Sequence, residues 1–350
     1  MRARSGGGLW QATTAAGATT GIVAGGLLTE YIGWRAIFLV NLPLIAVMLV
    51  LVGRLLPAGE RRRSEPIDVL DALFVTLGLA ALIFGLTSGQ QHGFGSGRTI
   101  AALVSALAPA CGFVAVERAV RAPMLPFRIF AAPTRRAAVI AMLLMGGVVA
   151  AYVYFISLYL QRVLGFSPVE NGLALVPATV TVTATSTVGT RRLLTRFGVK
   201  HVLIGGLLAM VSGQLWLSRV TDDDTYAAGV LPGLLVTAFG MGLAFPTASV
   251  GVTSGVDARE QGLAGSLFST SQQVGAAIGL AVLATARTQH EHGSLVAGYN
   301  LAFLVGAGGL ALAATVVAVL LNARTCPREL DRRRAATVLD ASTATVGGRV

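Results

Sequence analysis

Leu27-Leu28-Thr29-Glu30-Tyr31-Ile32-Gly33-Trp34-Arg35-Ala36-Ile37-Phe38-Leu39-Val40-Asn41-Leu42-Pro43 joins two apolar runs, residues 9–28 and 36–56, across a break of seven residues, 29–35. A helix needs about 20 mainly apolar residues to cross roughly 30 Å of hydrocarbon. Each run has that length. Backbone groups in lipid must bond within their own segment, so each run is expected to be a membrane-spanning helix. The break between them holds Thr29, Glu30, Trp34 and Arg35, polar and interfacial residues suited to the level where one span ends and the next begins.

The same pattern continues along the chain. Eight further runs follow, at about 69–87, 99–116, 137–160, 172–189, 201–217, 230–250, 265–286 and 301–321, which makes ten. No segment alternates as a strand would. The start, Met1 to Trp10, is basic and then apolar like an export signal. Its apolar stretch runs on to Leu28 without a clean cleavage site, so it is read as a span. Pro177 and Pro246 lie inside runs and are expected to kink them. Composition agrees: 54% of the 350 residues are hydrophobic and only 12% charged, with a mean hydropathy of +0.72. Soluble domains carry about 25% charge, so a water-soluble globule is excluded.

The net charge of +11 would suggest nucleic acid in a soluble protein. Here the basic residues fall between apolar runs, and no basic helix is interleaved with aromatics, so a nucleic-acid partner is not expected. With the N-terminus in the cytoplasm, 22 of the 27 Lys and Arg residues lie on the cytoplasmic side and 5 (Arg35, Arg98, Arg162, Arg219, Arg287) outside. That asymmetry predicts both termini inside. Cys111 and Cys326 have neither metal-ligand spacing nor matching contexts, so no metal site or disulfide is expected. The tail, 322–350, is Arg-rich and then Ala/Thr/Gly-rich, and is expected to be cytoplasmic and disordered.

Several motifs lie on these runs. Gly17, Gly21 and Gly25, with Gly26 beside the last, form a stripe that lets two helix backbones pack closely. Together with the junction residues Trp34, Arg35, Asn41 and Pro43, this segment resembles the major facilitator superfamily, in particular its fourteen-span drug:proton antiporter branch. Position 22 departs from the family motif, with Ile where the motif has Pro. Tyr159-Leu160-Gln161-Arg162 through Pro168, with Gly172 and Pro177, is similar to the outer turn that opens the family's C-terminal half. Arg191, Arg192 and Arg196 to Lys200 resemble its second basic loop, and Gly262 to Gly279 its thirteenth helix.

The resemblance implies an all-α membrane protein of the major facilitator fold, with the ten runs standing for helices five to fourteen and the N-terminal bundle incomplete. Residues 1–56 would be the last two helices of that bundle. Residues 57–136 would be the extra central pair with its linkers, 137–321 the six-helix C-terminal bundle, and 322–350 the tail. The implied function is multidrug efflux, and with it antibiotic resistance, across a bacterial cell (inner) membrane. Its partners would be drug-like small molecules, protons and the bilayer, with no cofactor. The alternative is a truncated membrane protein that folds or associates without transporting.

Ser266, Ser269, Thr270 and Gln273 recur at helical spacing and form one polar stripe. It reads either as a cavity wall that bonds a substrate or as helix–helix hydrogen bonding; Gln214 has the same two readings. Tyr152, Phe155 and Tyr159 share a face, suited to flat apolar or cationic compounds or to a packed core. An enzyme is not expected: no constellation of acids, His or metal ligands lies at membrane depth. Carboxylates sit at run ends, Asp71 being the deepest. His290-Glu291-His292 lacks a third ligand, and Gly93 to Gly97 lacks the Lys of a phosphate loop, so each is read as a loop.

Overall fold

The computed structural model describes residues 6–55, 69–92, 96–119, 132–254, 256, 261–288 and 295–321. The His290-Glu291-His292 sequence, most of the Gly93 to Gly97 turn and the tail lie outside these residues. The described residues form helices and turns without a strand. In order these are α1 (Gly6–Tyr31), α2 (Arg35–Leu39), α3 (Asn41–Leu55), α4 (Val69–His92), α5 (Gly97–Ala119), α6 (Pro133–Arg162), α7 (Pro168–Ala184), α8 (Thr190–Leu217), α9 (Leu231–Thr253), α10 (Gln261–Thr288) and α11 (Leu295–Leu320). Two π-turns, Thr185–Gly189 and Tyr226–Val230, lead into α8 and α9. With α2 and α3 taken as one rod, the ten rods follow the ten apolar runs in order. Six segments among the described residues are long and apolar enough to cross a bilayer on length and composition. The protein is an all-α, multi-pass membrane protein.

The sequence sets the breaks between rods. α1 ends where Gly33 adopts φ +105°, and the N–H groups of Ile32 and Gly33 both donate to Leu28 O, at 3.0 and 2.9 Å. That left-handed conformation is one glycine adopts without steric cost. The run that follows is not one helix. Pro43 cannot donate to Leu39 O, the helix breaks at Val40, and the Asn41 side-chain amide donates to Ile37 O at 3.0 Å. Gly198, with φ +74° and ψ 170°, divides α8 and turns the chain back into the bundle.

α6 to α11 pack as a bundle, with α6 against α10 and α11, α8 against α9 and α11, and α7 against α9. One core cluster is aromatic, built on Phe155, Tyr159, Tyr299 and Phe303 with Leu217 and Val230. A second is aliphatic, with Met142, Met145, Leu207, Met210 and Leu310. α4 and α5 pair with each other and α4 rests on α10, while α1 rests on α7. Only 6% of the span made by α2 and α3 is buried. In water so much exposed Leu, Ile and Val would not be tolerated; in a membrane, lipid solvates it.

Close helix approach depends on missing side chains. At the crossing of α6 and α10, a Cβ on Gly275 would overlap the Leu143 carbonyl, and one on Gly147 would stand 2.8 Å from Gly275 O. Between α8 and α9, a Cβ on Gly206 would stand 2.9 Å from Ala244 N, and one on Gly213 2.7 Å from Gly233 O. Lipid offers no hydrophobic drive between helices, so backbone-to-backbone packing of this kind supplies much of the association energy.

Candidate functional site: the polar stripe of α10 and its supports

Ser266, Ser269, Thr270 and Gln273 all lie exposed along one side of α10. At 100° per residue, Gly275 lies about 200° round the helix from Gln273, so the glycine seam with α6 is on the opposite side. The seam therefore fixes the direction in which the stripe faces. Ser266 donates to Leu263 O of its own helix at 2.9 Å. Ser271, just off the stripe, is buried and donates to Leu267 O at 2.7 Å. The stripe thus presents hydroxyl and amide groups on one side of α10, while Ser271 is turned to the side of the glycine seam. In hydrocarbon such groups are costly unless they meet water, a ligand or another helix.

The other candidate residues lie elsewhere. Tyr152 and Phe155 share a face, as their spacing predicts, but that face is the bundle core: they are 4% and 1% exposed. Phe155 meets the Tyr299 and Phe303 rings at 6.1 and 6.4 Å between centroids. Tyr154 is the half-exposed ring of this helix. Gln214 is also buried, 1% exposed, with no acceptor for Nε2 among the described residues. It points to Gly306, where an added Cβ would lie 3.9 Å from Gln214 Oε1 and 3.2 Å from Val148. Helical periodicity identifies a shared face but not what that face meets.

The glycines of α1 divide in the same way. Among the described residues nothing lies within 4 Å of a Cβ placed on Gly17, Gly21 or Gly25. The close approach is made by Gly26, where a Cβ would stand 2.7 Å from Pro168 O of α7. α7 lies against the Ile22–Gly26 side of α1, about 100° round from Gly25. Trp34 and Arg35 are exposed, with the guanidinium 5.5 Å from the Trp34 ring centroid. A cleft of about 190 Å³ lies at this end, lined by Gly26, Thr29, Gln161 and Asn171. It is smaller than the roughly 300–1,000 Å³ of a drug-sized pocket.

Three supports are not evident from sequence patterns. Arg135, 8% exposed, donates from Nε to Val252 O at 3.1 Å and from a terminal nitrogen to Ser254 O at 3.3 Å. It thereby ties the start of α6 to the C-terminal end of α9, where cations are favoured. Glu30, at the end of α1, accepts from Val169 N–H at 3.0 Å. Every early N–H of α7 is thereby matched: Pro168 has none, Val169 donates to Glu30, Glu170 to Ser167 Oγ and Asn171 to Ser167 O. Third, Tyr159 donates to Thr221 O at 2.6 Å and Asn300 to Val220 O at 2.9 Å. Among the described residues no group of three His, Cys, Asp or Glu side chains is placed to hold a metal.

A family model described as Major Facilitator Superfamily matches residues 2–280 and again 190–345. The chain is 32% identical over 335 residues to the puromycin resistance protein of Streptomyces alboniger, covering 91% of this chain and 66% of that protein. It is 32% identical over 311 residues to the cephamycin export protein of Amycolatopsis lactamdurans, covering 87% and 63%. Against the tetracenomycin C resistance and export protein of Streptomyces glaucescens it is 30% identical over 281 residues, covering 79% and 51%. The chain spans about half to two thirds of the length of these relatives. With a helical bundle, lipid-facing spans and a family match across most of its length, the chain belongs to the major facilitator superfamily.

Proposed function

We propose that this protein exports small apolar or cationic compounds across a bacterial cell membrane, in exchange for protons, and that the stripe of α10 forms part of the path. The observation that carries this is the exposure of Ser266, Ser269, Thr270 and Gln273 on one face of α10, the helix that the apolar run 265–286 reads as a span. Lipid would penalise these groups; a wet substrate path would use them. Relatives named for resistance and export support the reading. On it, α1 to α3 are the end of the N-terminal bundle, α4 and α5 the extra central pair, and α6 to α11 the C-terminal bundle. Both termini are then cytoplasmic. Tyr152, Phe155 and Gln214 shape the wall from behind rather than touching the substrate, and α1 meets the C-terminal bundle through Gly26.

One observation favours the alternative, a membrane protein that folds without transporting. Among the described residues α3 makes substantial contact only with α2, and the Gly17, Gly21 and Gly25 side of α1 is open. Expression in a drug-sensitive host separates the two. Accumulation of a panel of fluorescent cations and antibiotics is measured for the parent and for Gln273→Ala at equal membrane levels. Export with an altered compound profile in the variant is expected. An unchanged profile would reduce the stripe to packing, and no export by the parent would leave the alternative.

A further inference from the structure

α9 carries Pro246 inside its span. Proline has no N–H, so the carbonyl four residues back, that of Gly242, loses its helical donor. Within a bilayer, neighbouring Ser and Thr hydroxyls are what can re-satisfy such a carbonyl. Two of them do so. Thr190 Oγ1 donates to Gly242 O at 2.8 Å and Ser186 Oγ at 3.3 Å.

Both hydroxyls come from a place where the neighbouring helix is also irregular. After α7 the chain widens into the π-turn Thr185–Gly189, and Thr190 N–H reaches back five residues to Thr185 O. Thr190 Oγ1 lies 3.2 Å from that same carbonyl. A threonine hydroxyl has a single proton, so its donation is divided between two acceptors, one in each broken turn. Thr185 and Thr190 are 8% and 3% exposed, so water does not compete freely. Gly242 lets the turns meet: a Cβ there would stand 2.7 Å from Thr185 Cβ and 2.8 Å from Val182 O.

We propose that the Thr190 hydroxyl is a two-position switch in a hinge shared by α7 and α9. With the turns pressed together it donates to Gly242 O; when they part it donates to Thr185 O. The loosest backbone of each helix thus lies at one level, and either helix bends there without leaving the hydroxyl unbonded. π-turns and prolines are the identifiable causes of such bends. As a hinge of a transport cycle this rests on the export reading. As an exchange of hydrogen bonds it stands on this chain alone, and its test needs no transport.

The test is a double-mutant cycle on the purified protein without substrate. Pro246→Ala returns an N–H to the position that serves Gly242 O. Thr190→Val with Ser186→Ala is therefore expected to lower the apparent melting temperature in the parent, and to do so by less than half as much in the Pro246→Ala background. Equal losses in the two backgrounds overturn the proposal. If the combined variant does not accumulate, Thr190→Ser against Thr190→Val carries the test, because serine keeps the donor. Spin labels on α7 and α9 read the switch. Thr190→Val removes a bond from both positions, but Thr185 O keeps the Thr190 N–H whereas Gly242 O loses its shorter hydroxyl donor. The near distance is therefore expected to lose population by up to about five-fold, the factor carried by one net hydrogen bond, and Thr190→Ser to leave the ratio unchanged. Identical distance distributions for Val and Ser refute the switch, whatever becomes of export.

Discussion

Gly275→Ala is expected to destabilise the bundle far more than its single methyl group suggests. The new Cβ would overlap the Leu143 carbonyl oxygen and stand 2.7 and 2.9 Å from the Leu143 carbonyl carbon and Cα. These are backbone atoms and cannot turn aside. α10 must therefore draw back from α6 by roughly 1 Å or more, which forfeits about half of each dispersion contact along the seam. Overpacking that shifts backbone costs about 1–3 kcal/mol, and with the seam loosened we expect a total near the upper end. At about 2–4 °C per kcal/mol for 150–250 residues, the apparent melting temperature should fall by about 4–12 °C. Gly265→Ala is the control, because a Cβ there meets nothing within 4 Å. Both changes gain the same helix propensity, up to about 1 kcal/mol, so their difference isolates the seam. The assay is a melt in detergent followed by intrinsic tryptophan fluorescence, since Cys111 is exposed and would react with a thiol dye before unfolding, checked by size-exclusion. Equal melting temperatures for the two variants would refute the reasoning.

Arg135→Ala removes charged donors from two carbonyls and should cost about 2–3 kcal/mol; Arg135→Lys, a point donor without the guanidinium fork, should recover only part of it in the same melt. Glu30→Ala leaves Val169 N–H without its acceptor, so hydrogen exchange at the start of α7 should quicken; unchanged exchange there would show that the bond does not persist. Reporter fusions at residues 61–63 should be cytoplasmic and those at residues 222–224 external. The reverse pattern would contradict the orientation drawn from the arginines.

The order and number of the helical rods were legible because apolar run length and the cost of unbonded backbone in lipid leave few alternatives. The chemistry of the faces was legible only in part. Ser266, Ser269, Thr270 and Gln273 were evident as a stripe because polar residues stand out on an apolar helix, and the stripe is exposed. Tyr152 and Phe155 fit a cavity wall and a core equally well in sequence, since an aromatic face serves either; packing against α11 makes them core. Three-dimensional pairing was not readable. Nothing in the spacing of Gly17, Gly21, Gly25 and Gly26 says that α7 arrives beside Gly26. Arg135 looks like any cytoplasmic arginine until Val252 and Ser254 are beside it. One signal was present and specific: Pro246 announces an orphaned carbonyl at Gly242, although not which hydroxyls answer it.

The connection between α8 and α9 is held from several directions. Tyr159 reaches it from α6 and Asn300 from α11, through Thr221 and Val220. Trp216 closes it on Gly229 O at 2.9 Å, and Tyr226 extends the attachment to Ala174 O of α7 at 2.7 Å. A brace of this kind ties the ends of three helices, α6, α7 and α11, to one hairpin, so these ends must travel together. The border between α1 and α7 at the same end is held differently, by the Val169 N–H bond to the Glu30 carboxylate and by close backbone contact at Gly26. That border is the place to put a cross-link that tests whether α1 and α7 part at this end.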